Sequence, residues 1–211
     1  MRALALLPTV LVAPMLIASP ARAGELVVQL RTPSGGVVRN AVVTLYPAGR
    51  PAPQAPPQRT YQVSQKDIQF HPFVLIVPVG AQVAFPNFDD IRHHVYSFSP
   101  AKKFELKLYA REQNRTVKFD KAGAVPLGCN IHDQMTAFIK VVDTGLSALS
   151  DANGRAVFAN VPDGPFIARI WHPYLRAPSN QMEMRWSSGV ARQIQNVTLG
   201  LRTPPPVSSD Y

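Results

Sequence analysis

The stretch GCNIHDQM, residues 128–135, holds the only cysteine of this 211-residue chain. Cys129 is followed three positions later by His132, and His132 three positions later by Met135. A thiolate, an imidazole and a thioether placed so close together form a set of ligands suited to soft or borderline metal ions. The alternative is a buried cysteine that acts as a small hydrophobic residue.

The chemistry of these ligands favours copper. In blue-copper sites the ion is bound by two histidines, one cysteine and a weak axial methionine. Zinc is the rival, although it seldom takes methionine and its structural sites use more cysteines and histidines. The missing ligand would be a histidine from a separate strand, and the remaining histidines are His71, His93, His94 and His172.

Short segments rich in β-branched and aromatic residues run along the chain, with proline and glycine between them. The sequence predicts strands in ELVVQL, AVVTLY, FVLIVPV, AQVAF, HHVYSF, RTVKF, AFIKVV, RAVFANV and FIARIW. One helical turn is predicted, in AKKFELKLYAREQ at 101–113. Many short strands at this spacing indicate an all-β protein built from sandwiches.

Two breaks divide the chain. The proline-rich stretch 47–58 indicates an extended linker, and a second linker-like stretch, DTGLSALSDANG, begins at Asp143. Because two strands alone are marginal in water, we predict that the flanks pair with each other. The predicted units are a domain at 59–143, a discontinuous sandwich at 24–58 and 144–203, and a flexible tail at 204–211.

The flanks resemble the carboxypeptidase regulatory-like, or transthyretin-like, β-sandwich family. That family shows a strand, a glycine turn and a second apolar strand, followed by D-x-x-G-x-x-x-F and P-x-G-x-F. The corresponding stretches here are 41–45, 151–158 and 162–166. The resemblance implies a binding or scaffolding module without catalytic residues.

Residues 66–143 resemble the cupredoxins, the family of plastocyanin and amicyanin. The family strand F-x-P-x-x-x-x-V-x-x-G-x-x-V-x-F-x-N ends six residues before a ligand histidine, and G-x-Y-x-Y-x-C-x-x-H follows downstream. The matching residues are Phe70, Pro72, Val77, Gly80, Val83, Phe85, Asn87 and His93, then Gly123, Val125, Leu127, Cys129 and His132. The resemblance implies a cupredoxin Greek-key β-sandwich, beside the transthyretin-like one.

The resemblance also implies a ligand set for one copper ion, namely His93, Cys129, His132 and Met135. His93 is preferred by its spacing from Asn87, and His94 stays the alternative. The family usually has asparagine after the first ligand histidine, where it ties the two ligand loops together. His94 takes that place, so we expect Asn87 and His94 to orient the ligands without binding the metal. Val125 and Leu127 replace aromatic residues of the family.

The C-x-x-H-x-x-M spacing is that of amicyanin, and both ligand loops resemble cupredoxin-like proteins of methylamine utilisation. This implies one-electron transfer rather than enzyme activity, with a cytochrome or a dehydrogenase as the expected kind of redox partner. His132, near Ile131 and Pro126, is the expected electron port. The alternative function is a periplasmic copper carrier, or an assembly protein that docks through the flanking sandwich without a redox role.

The first 23 residues have a basic start, an apolar run and small residues at Ala21 and Ala23. This pattern is typical of a secretory signal peptide cleaved after Ala23, and it predicts a periplasmic protein without stable membrane insertion. A membrane anchor is the rival, but prolines interrupt the apolar run. Cleavage leaves 20 basic against 13 acidic residues. Without a dense Lys/Arg run, this charge does not indicate nucleic-acid binding.

The other chemically capable residues are predicted to be structural. Asp89 and Asp90 are expected in a solvated turn rather than at a cation site. Ordinary packing or strand positions are expected for His71, Trp171, His172 and Trp186. No paired carboxylates, Ser-His-Asp set or phosphate-binding loop stands out, so hydrolase chemistry has no support.

Overall fold

The computed structural model describes residues 23–54, 60–111, 113–189 and 191–205, so the predicted signal peptide apart from Ala23 and most of the predicted tail lie outside them. The prediction of an all-β protein is confirmed, since the described elements are strands and a single 3-10 turn at Pro178–Asn180. Within this part of the chain no helix has the length and apolar character needed to cross a bilayer.

The strands are β1 (Ala23–Arg31), β2 (Val42–Pro47), β3 (Tyr61–Gln62), β4 (Ser64–Lys66), β5 (Gln69–His71), β6 (Val74–Pro78), β7 (Ala81–Ala84), β8 (His93–Ser99), β9 (Lys102–Tyr109), β10 (Thr116–Phe119), β11 (Gly123–Cys129), β12 (His132–Val142), β13 (Ser147–Leu149), β14 (Arg155–Pro162), β15 (Gly164–Trp171), β16 (Gln181–Ser188) and β17 (Gln193–Thr198).

The strands of the two flanks enclose one hydrophobic core. They form a three-stranded sheet in the order β14-β1-β17 and a four-stranded sheet in the order β13-β2-β15-β16. Alternate residues of β1 (Leu26, Val28 and Leu30) point into the core shared by these strands. At the turn before β14, Gly154 has φ +74°, and a Cβ there would lie 2.6 Å from the carbonyl oxygen of Leu30, so this close approach requires glycine.

The strands between the flanks enclose a second core. A five-stranded sheet has the order β6-β12-β11-β8-β9, and smaller sheets have the orders β10-β7-β3 and β4-β5. β6 runs parallel to β12, whereas the pairs β12–β11, β11–β8 and β8–β9 are antiparallel. In an antiparallel pair, one strand ends at the edge where its neighbour begins. The end of β11 therefore lies beside the starts of β8 and β12.

The predicted helical turn at 101–113 is wrong, because Lys102–Tyr109 form β9. Phe104 and Leu106 pack against the core, while Lys103, Glu105 and Lys107 are exposed. This is a repeat of two residues, which belongs to a strand with one solvated face.

A small apolar cluster joins the two cores. Val42 and Trp171 from the flanks pack with Val74 and Val142 from the middle strands. The Trp171 ring also meets that of Phe138 edge-on, with centroids 5.9 Å apart. Trp171 therefore lies between the two cores rather than within one of them.

Candidate metal centre

Three side chains with metal-binding atoms meet at one edge of the five-stranded sheet. β11 ends at Cys129, β8 begins at His93 and β12 begins at His132. Their candidate ligand atoms all lie within 4.8 Å of one another. Cys129 Sγ is 3.8 Å from Nδ1 of His93 and 3.6 Å from Nδ1 of His132. The strand topology thus brings together residues that are far apart in sequence.

The local backbone brings the cysteine to this position. The pairing of β11 with β12 shifts between Gly128 and Cys129, so that Cys129 lies opposite His132. Cys129 is also opposite Val95 of β8. The N–H group of Asn130 donates to the carbonyl oxygen of His94 over 3.0 Å, which ties the turn after Cys129 to the start of β8.

Met135, the fourth predicted ligand, lies on the core side of β12. It is fully buried and belongs to the same core cluster as Cys129. The buried and exposed residues of β12 alternate after His132, and Met135 takes one of the buried positions. A thioether in a core is ordinary packing as well as a candidate ligand.

The surroundings of Cys129 favour its thiolate form. Burial alone would raise the pKa of the thiol, but it accepts hydrogen bonds from His93, from the backbone N–H groups of His94 and Ile131, and from His132. Together these hydrogen bonds lower the pKa of Cys129 to about 6. At neutral pH the site therefore presents the form of cysteine that binds metals.

His93 is held from behind by a carboxylate. Its Nε2 lies 2.8 Å from Oδ2 of Asp89, so that Nδ1 faces Cys129. Burial would lower the pKa of His93, but the contacts with Cys129 and Asp89 raise it. Asp89 also accepts backbone N–H hydrogen bonds from Asp67 and Ile68, at 2.7 and 3.1 Å. These contacts more than offset its burial and lower the pKa of Asp89.

The sequence predicted that Asp89 lies in a solvated turn. That prediction is wrong, because the Asp89 carboxylate contacts His93 and two backbone N–H groups. Asp90 behaves as expected: it is exposed and pairs with Arg111 over 2.8 Å. No local signal in the sequence separates the two residues, because Asp89 precedes His93 by four positions and Asp90 precedes His94 by the same interval.

Asn87 holds the loop between β7 and β8. Its Nδ2 donates to the carbonyl oxygens of Ile91 and Tyr109, at 2.8 and 3.3 Å, and its Oδ1 accepts from the N–H group of Asp89 over 2.9 Å. Asn87 is almost completely buried. It therefore fixes the loop that carries Asp89 and leads to His93.

The side chain of His94 lies outside the three-residue group. Its Nε2 is 2.9 Å from Oε1 of Glu105, an exposed residue on the neighbouring β9. His94 contributes instead through its backbone, which donates to Cys129 and accepts from Asn130. The peptide of His94 thus links the two loops, and its imidazole does not.

A buried polar pair behind the site was not apparent from the sequence. The hydroxyl of Tyr109 donates to the carbonyl oxygen of Phe85 over 2.8 Å and accepts from the side-chain amide of Gln65. Burial raises the pKa of Tyr109 to about 12; the hydrogen bond from Gln65 opposes this shift, and the charge of Cys129 adds to it. Such a pair depends on contacts across the fold, for which a single sequence carries no local pattern.

No protein-family profile matches the chain, and no curated protein matches its sequence. Among solved structures, the copper-containing nitrite reductase (NirK) from Thermus scotoductus SA-01 is similar at 24% identity and a TM-score of 0.39, over 46% of this chain and 24% of that one. The purple cupredoxin from Nitrosopumilus maritimus is similar at 19% identity and a TM-score of 0.35, over 39% of this chain and 99% of that one. A reduced Cu(I) form of an amicyanin variant is similar at 22% identity and a TM-score of 0.37, over 47% of this chain and 98% of that one. Each similarity covers less than half of this chain.

Proposed function

We propose that this chain is an exported electron-transfer protein with one mononuclear copper site, held in a cupredoxin-like domain at 59–143. The ligands would be His93, Cys129, His132 and Met135. In this proposal the segments 24–58 and 144–203 form a second sandwich that positions the protein against others.

One observation carries the proposal: a buried cysteine and two histidines have their ligand atoms within 4.8 Å of one another. The donor set fits copper, since a thiolate and two imidazoles with a nearby thioether match the preferences of Cu(I) and Cu(II). Both histidines turn Nδ1 towards Cys129 Sγ. Asp89 occupies Nε2 of His93, which leaves Nδ1 available.

The residues around the site favour electron transfer over catalysis. Copper, when bound, supplies a centre that takes up and releases one electron. Asn87, Asp89 and the peptide of His94 fix the ligand side chains, so that little rearrangement would accompany a change of redox state. His132 is only partly buried, and the neighbouring Ile131 is exposed, which suits an electron port that meets a partner.

The partner would be another redox protein, and a dehydrogenase or cytochrome of methylamine oxidation is the class to test first.

A copper carrier or assembly protein is the second candidate function of this chain, favoured by the large flanking sandwich. Reversible voltammetry of the copper-loaded protein separates the two functions, because a carrier needs tight binding but no reversible redox cycle.

The experiment that tests the proposal is the visible and electron paramagnetic resonance spectrum of the mature protein with one equivalent of Cu(II). We expect an intense visible band from the copper-thiolate bond and its loss in Cys129→Ser. His71→Asn, which changes an exposed histidine outside the site, serves as the control and should keep the band. A copper-saturated but colourless protein would contradict the proposal.

A further inference from the structure

The flanking segments have an excess of basic residues that consists of arginine alone. All seven lysines of the chain lie within 59–143, whereas the described parts of 24–58 and 144–203 contain nine arginines, four acidic residues and no lysine. A guanidinium group pairs with carboxylates and phosphates through two parallel N–H groups, and it keeps its charge throughout the physiological pH range. Where these arginines gather on one surface, they can bind anions.

Five of these arginines lie at one end of the flanking sheets, which we call the arginine end. They are Arg31, Arg39, Arg155, Arg176 and Arg202. Arg31 ends β1, and Arg155 begins the antiparallel neighbour β14. Nε of Arg39 donates to the carbonyl oxygen of Ala152, in the turn before β14, over 3.3 Å. These contacts place the first three arginines together.

The segment after β17 brings the other two arginines to the same end. The N–H group of Leu199 donates to the carbonyl oxygen of Arg31 over 2.8 Å. The next residue, Gly200, accepts from the N–H group of Arg176 over 2.9 Å. Arg202 follows two positions later. The arginine end therefore draws its charges from five separate segments.

Most carboxylates of the flanking segments are paired or lie elsewhere. Glu25 pairs with Arg192 over 2.8 Å, and Glu183 pairs with Arg169 over 2.6 Å. Asp163 lies at the opposite end of the sheets, in the turn between β14 and β15.

Asp151 is the one described carboxylate of these segments that lies at the arginine end without an ion-pair partner. It accepts hydrogen bonds from the N–H groups of Asn153 and Arg155, at 2.8 and 2.9 Å. Asp210 follows in the tail, outside the described residues. Five arginines against these two carboxylates leave an excess of three positive charges. None of the five arginines forms an ion pair within the ranges that the structure describes, so the arginine end is a cationic surface.

An uncharged loop, 32–38 with the sequence TPSGGVV, lies between Arg31 and Arg39. The N–H group of Thr32 donates to the carbonyl oxygen of Gly36 over 2.8 Å, and the N–H group of Gly35 donates to that of Thr32 over 2.9 Å. The Thr32 hydroxyl accepts from the N–H group of Gly36 over 2.9 Å. The loop thus satisfies several of its own backbone groups.

Two apolar residues of this loop face solvent beside the arginines. Pro33 is exposed, and Val37 is 42% exposed. Val37 lies opposite Arg31 in an isolated bridge, and its side chain lies beside Gly154, the residue before Arg155. The arginine end thus combines cations with a small exposed apolar surface.

We propose that the arginine end binds the surface of a bilayer whose phospholipid headgroups are anionic. Its charges are spread over five segments around a loop, an arrangement that suits a surface with many phosphates. Pro33 and Val37 supply the apolar contact that accompanies interfacial binding, and the hydrogen bonds inside the loop satisfy backbone groups that would leave water. An acidic protein surface would match the charges but not these apolar residues. The proposal goes beyond electron transfer and does not depend on copper.

Flotation of the copper-free mature protein with vesicles of equal parts phosphatidylglycerol and phosphatidylcholine tests the proposal at low ionic strength. We expect binding to these vesicles but not to vesicles of phosphatidylcholine alone, and its loss at high salt. Arg31→Gln combined with Arg155→Gln removes two of the five charges. It should lower the partition coefficient about 25-fold, since each basic residue near such a surface contributes about fivefold.

The matched control is Lys103→Gln combined with Lys107→Gln, which removes the same charge from the exposed face of β9 and should bind as the parent does. An equal fall in both double variants would overturn the proposal, because net charge alone would then account for the binding. Failure of the parent protein to bind the anionic vesicles would also overturn it. Arginine-dependent binding of a polyglutamate peptide would then assign the surface to acidic proteins.

NMR on the unaltered ¹⁵N-labelled protein tests the same surface without any variant. Bicelles of the two lipids carry a nitroxide on a fraction of their headgroups. We expect line broadening of the amides at 31–39, 153–155, 174–176 and 199–202, while the amides at 102–107 stay sharp. Broadening that is spread evenly, or confined to 129–133 at the metal centre, would contradict the proposal. Because copper is absent throughout, a protein that forms no coloured copper site would refute the proposed function and leave this result standing.

Discussion

The candidate metal centre is organised around one thiol, and hydrogen bonds hold the residues that contact it. Cys129 is 3% exposed, yet hydrogen-bond donors surround its sulfur. His93 is fully buried and is held at Nε2 by Asp89, which is held in turn by two backbone N–H groups. Such outer contacts set the tautomer and the orientation of a ligand histidine.

Replacement of the carboxylate that contacts His93 should weaken metal binding. In Asp89→Asn the amide NH₂ would face Nε2–H of His93 and the N–H group of Ile68 if it replaced Oδ2, or the N–H group of Asp67 if it replaced Oδ1, and the negative charge that holds His93 would be lost. We expect copper affinity to fall by about 10-fold to 100-fold, the usual effect of changing such a partner. Competition with a chelator of known affinity measures it. Asp90→Asn, next in sequence but exposed and paired with Arg111, is the control and should bind as the parent does.

The two adjacent histidines should behave differently on substitution. His93→Asn should abolish the visible band of the copper-loaded protein, because His93 points Nδ1 towards Cys129. His94→Asn should keep the band, because the His94 side chain contacts Glu105 and only its backbone serves the site. Glu105→Gln should also keep it. Loss of the band in His94→Asn together with its survival in His93→Asn would assign His94 as the ligand.

Spacing accounts for what could be predicted of the site. Cys129, His132 and Met135 lie within one short stretch, and His93 follows Asn87 at a fixed interval. Asp89 was missed because nothing local distinguishes it from Asp90; the two separate only when the loop folds back on the β4–β5 hairpin. The role of the His94 backbone could not be predicted, because a peptide group has no signature in the sequence.

At the scale of the elements, strands with apolar runs were predictable and strands rich in charge were not. The apolar segments in β1, β2, β6 and β12 can be predicted as strands from their composition. β9 and β16 carry charged residues on the exposed face, and their alternation is the only signal. Phe104 and Leu106 mark it in β9, as Met182 and Met184 do in β16. Lysine and glutamate favour helices locally, and contact with the core overrides that preference.

β12 runs from the candidate metal centre to the contact between the two cores, and Lys140 lies at that contact. Its Nζ is 5.3 Å from the centre of the Trp171 ring and 3.3 Å from Oε1 of Gln181. Burial and the charge of Arg169 lower the pKa of Lys140 to about 8, and Asp143 opposes this shift. The folded chain therefore binds the proton of Lys140 less tightly than the unfolded chain, whose lysines titrate near 10.4.

The free energy of unfolding should depend on pH through this lysine. Between about pH 8 and 10.4 the unfolded state binds more protons at Lys140 than the folded state does. The contribution of Lys140 to the free energy of unfolding therefore rises with pH over this range and is lowest below pH 8. Lys140→Met should remove this rise. It should also stabilise the copper-free protein at pH 7 by about 1–2 kcal/mol, after the lost contacts with Gln181 and Trp171 are subtracted.

Urea unfolding of the copper-free protein between pH 7 and pH 10 measures this difference. The control is Lys107→Met, on the exposed face of β9, which should change the stability little at any of these pH values. An unfolding free energy of Lys140→Met that runs parallel to that of the parent protein over this range would contradict the prediction.

For the whole molecule, the central question is whether the two cores unfold together. Each core is closed by its own sheets, and the cluster of Val42, Val74, Val142 and Trp171 joins them. Trp171 is 2% exposed, and its Nε1 has no hydrogen-bond partner among the described residues. Its contribution is therefore apolar packing, and the ring is the largest side chain in the contact.

Loss of this ring should uncouple the two cores. Trp171→Ala is expected to destabilise the protein by about 3–5 kcal/mol, as for other buried tryptophans, and to separate one calorimetric transition into two. Trp171→Phe should keep a single transition, since no hydrogen bond of Nε1 is lost. Trp186→Ala, which removes a partly buried tryptophan packed on the flanking core alone, should lower the melting temperature without splitting the transition. The visible spectrum should be unchanged in each variant, because the proposed ligands on β12, His132 and Met135, lie towards its start, whereas Phe138 and Lys140 lie in its second half. One sharp transition in Trp171→Ala, followed equally by copper absorbance and by circular dichroism, would show that other contacts couple the two cores.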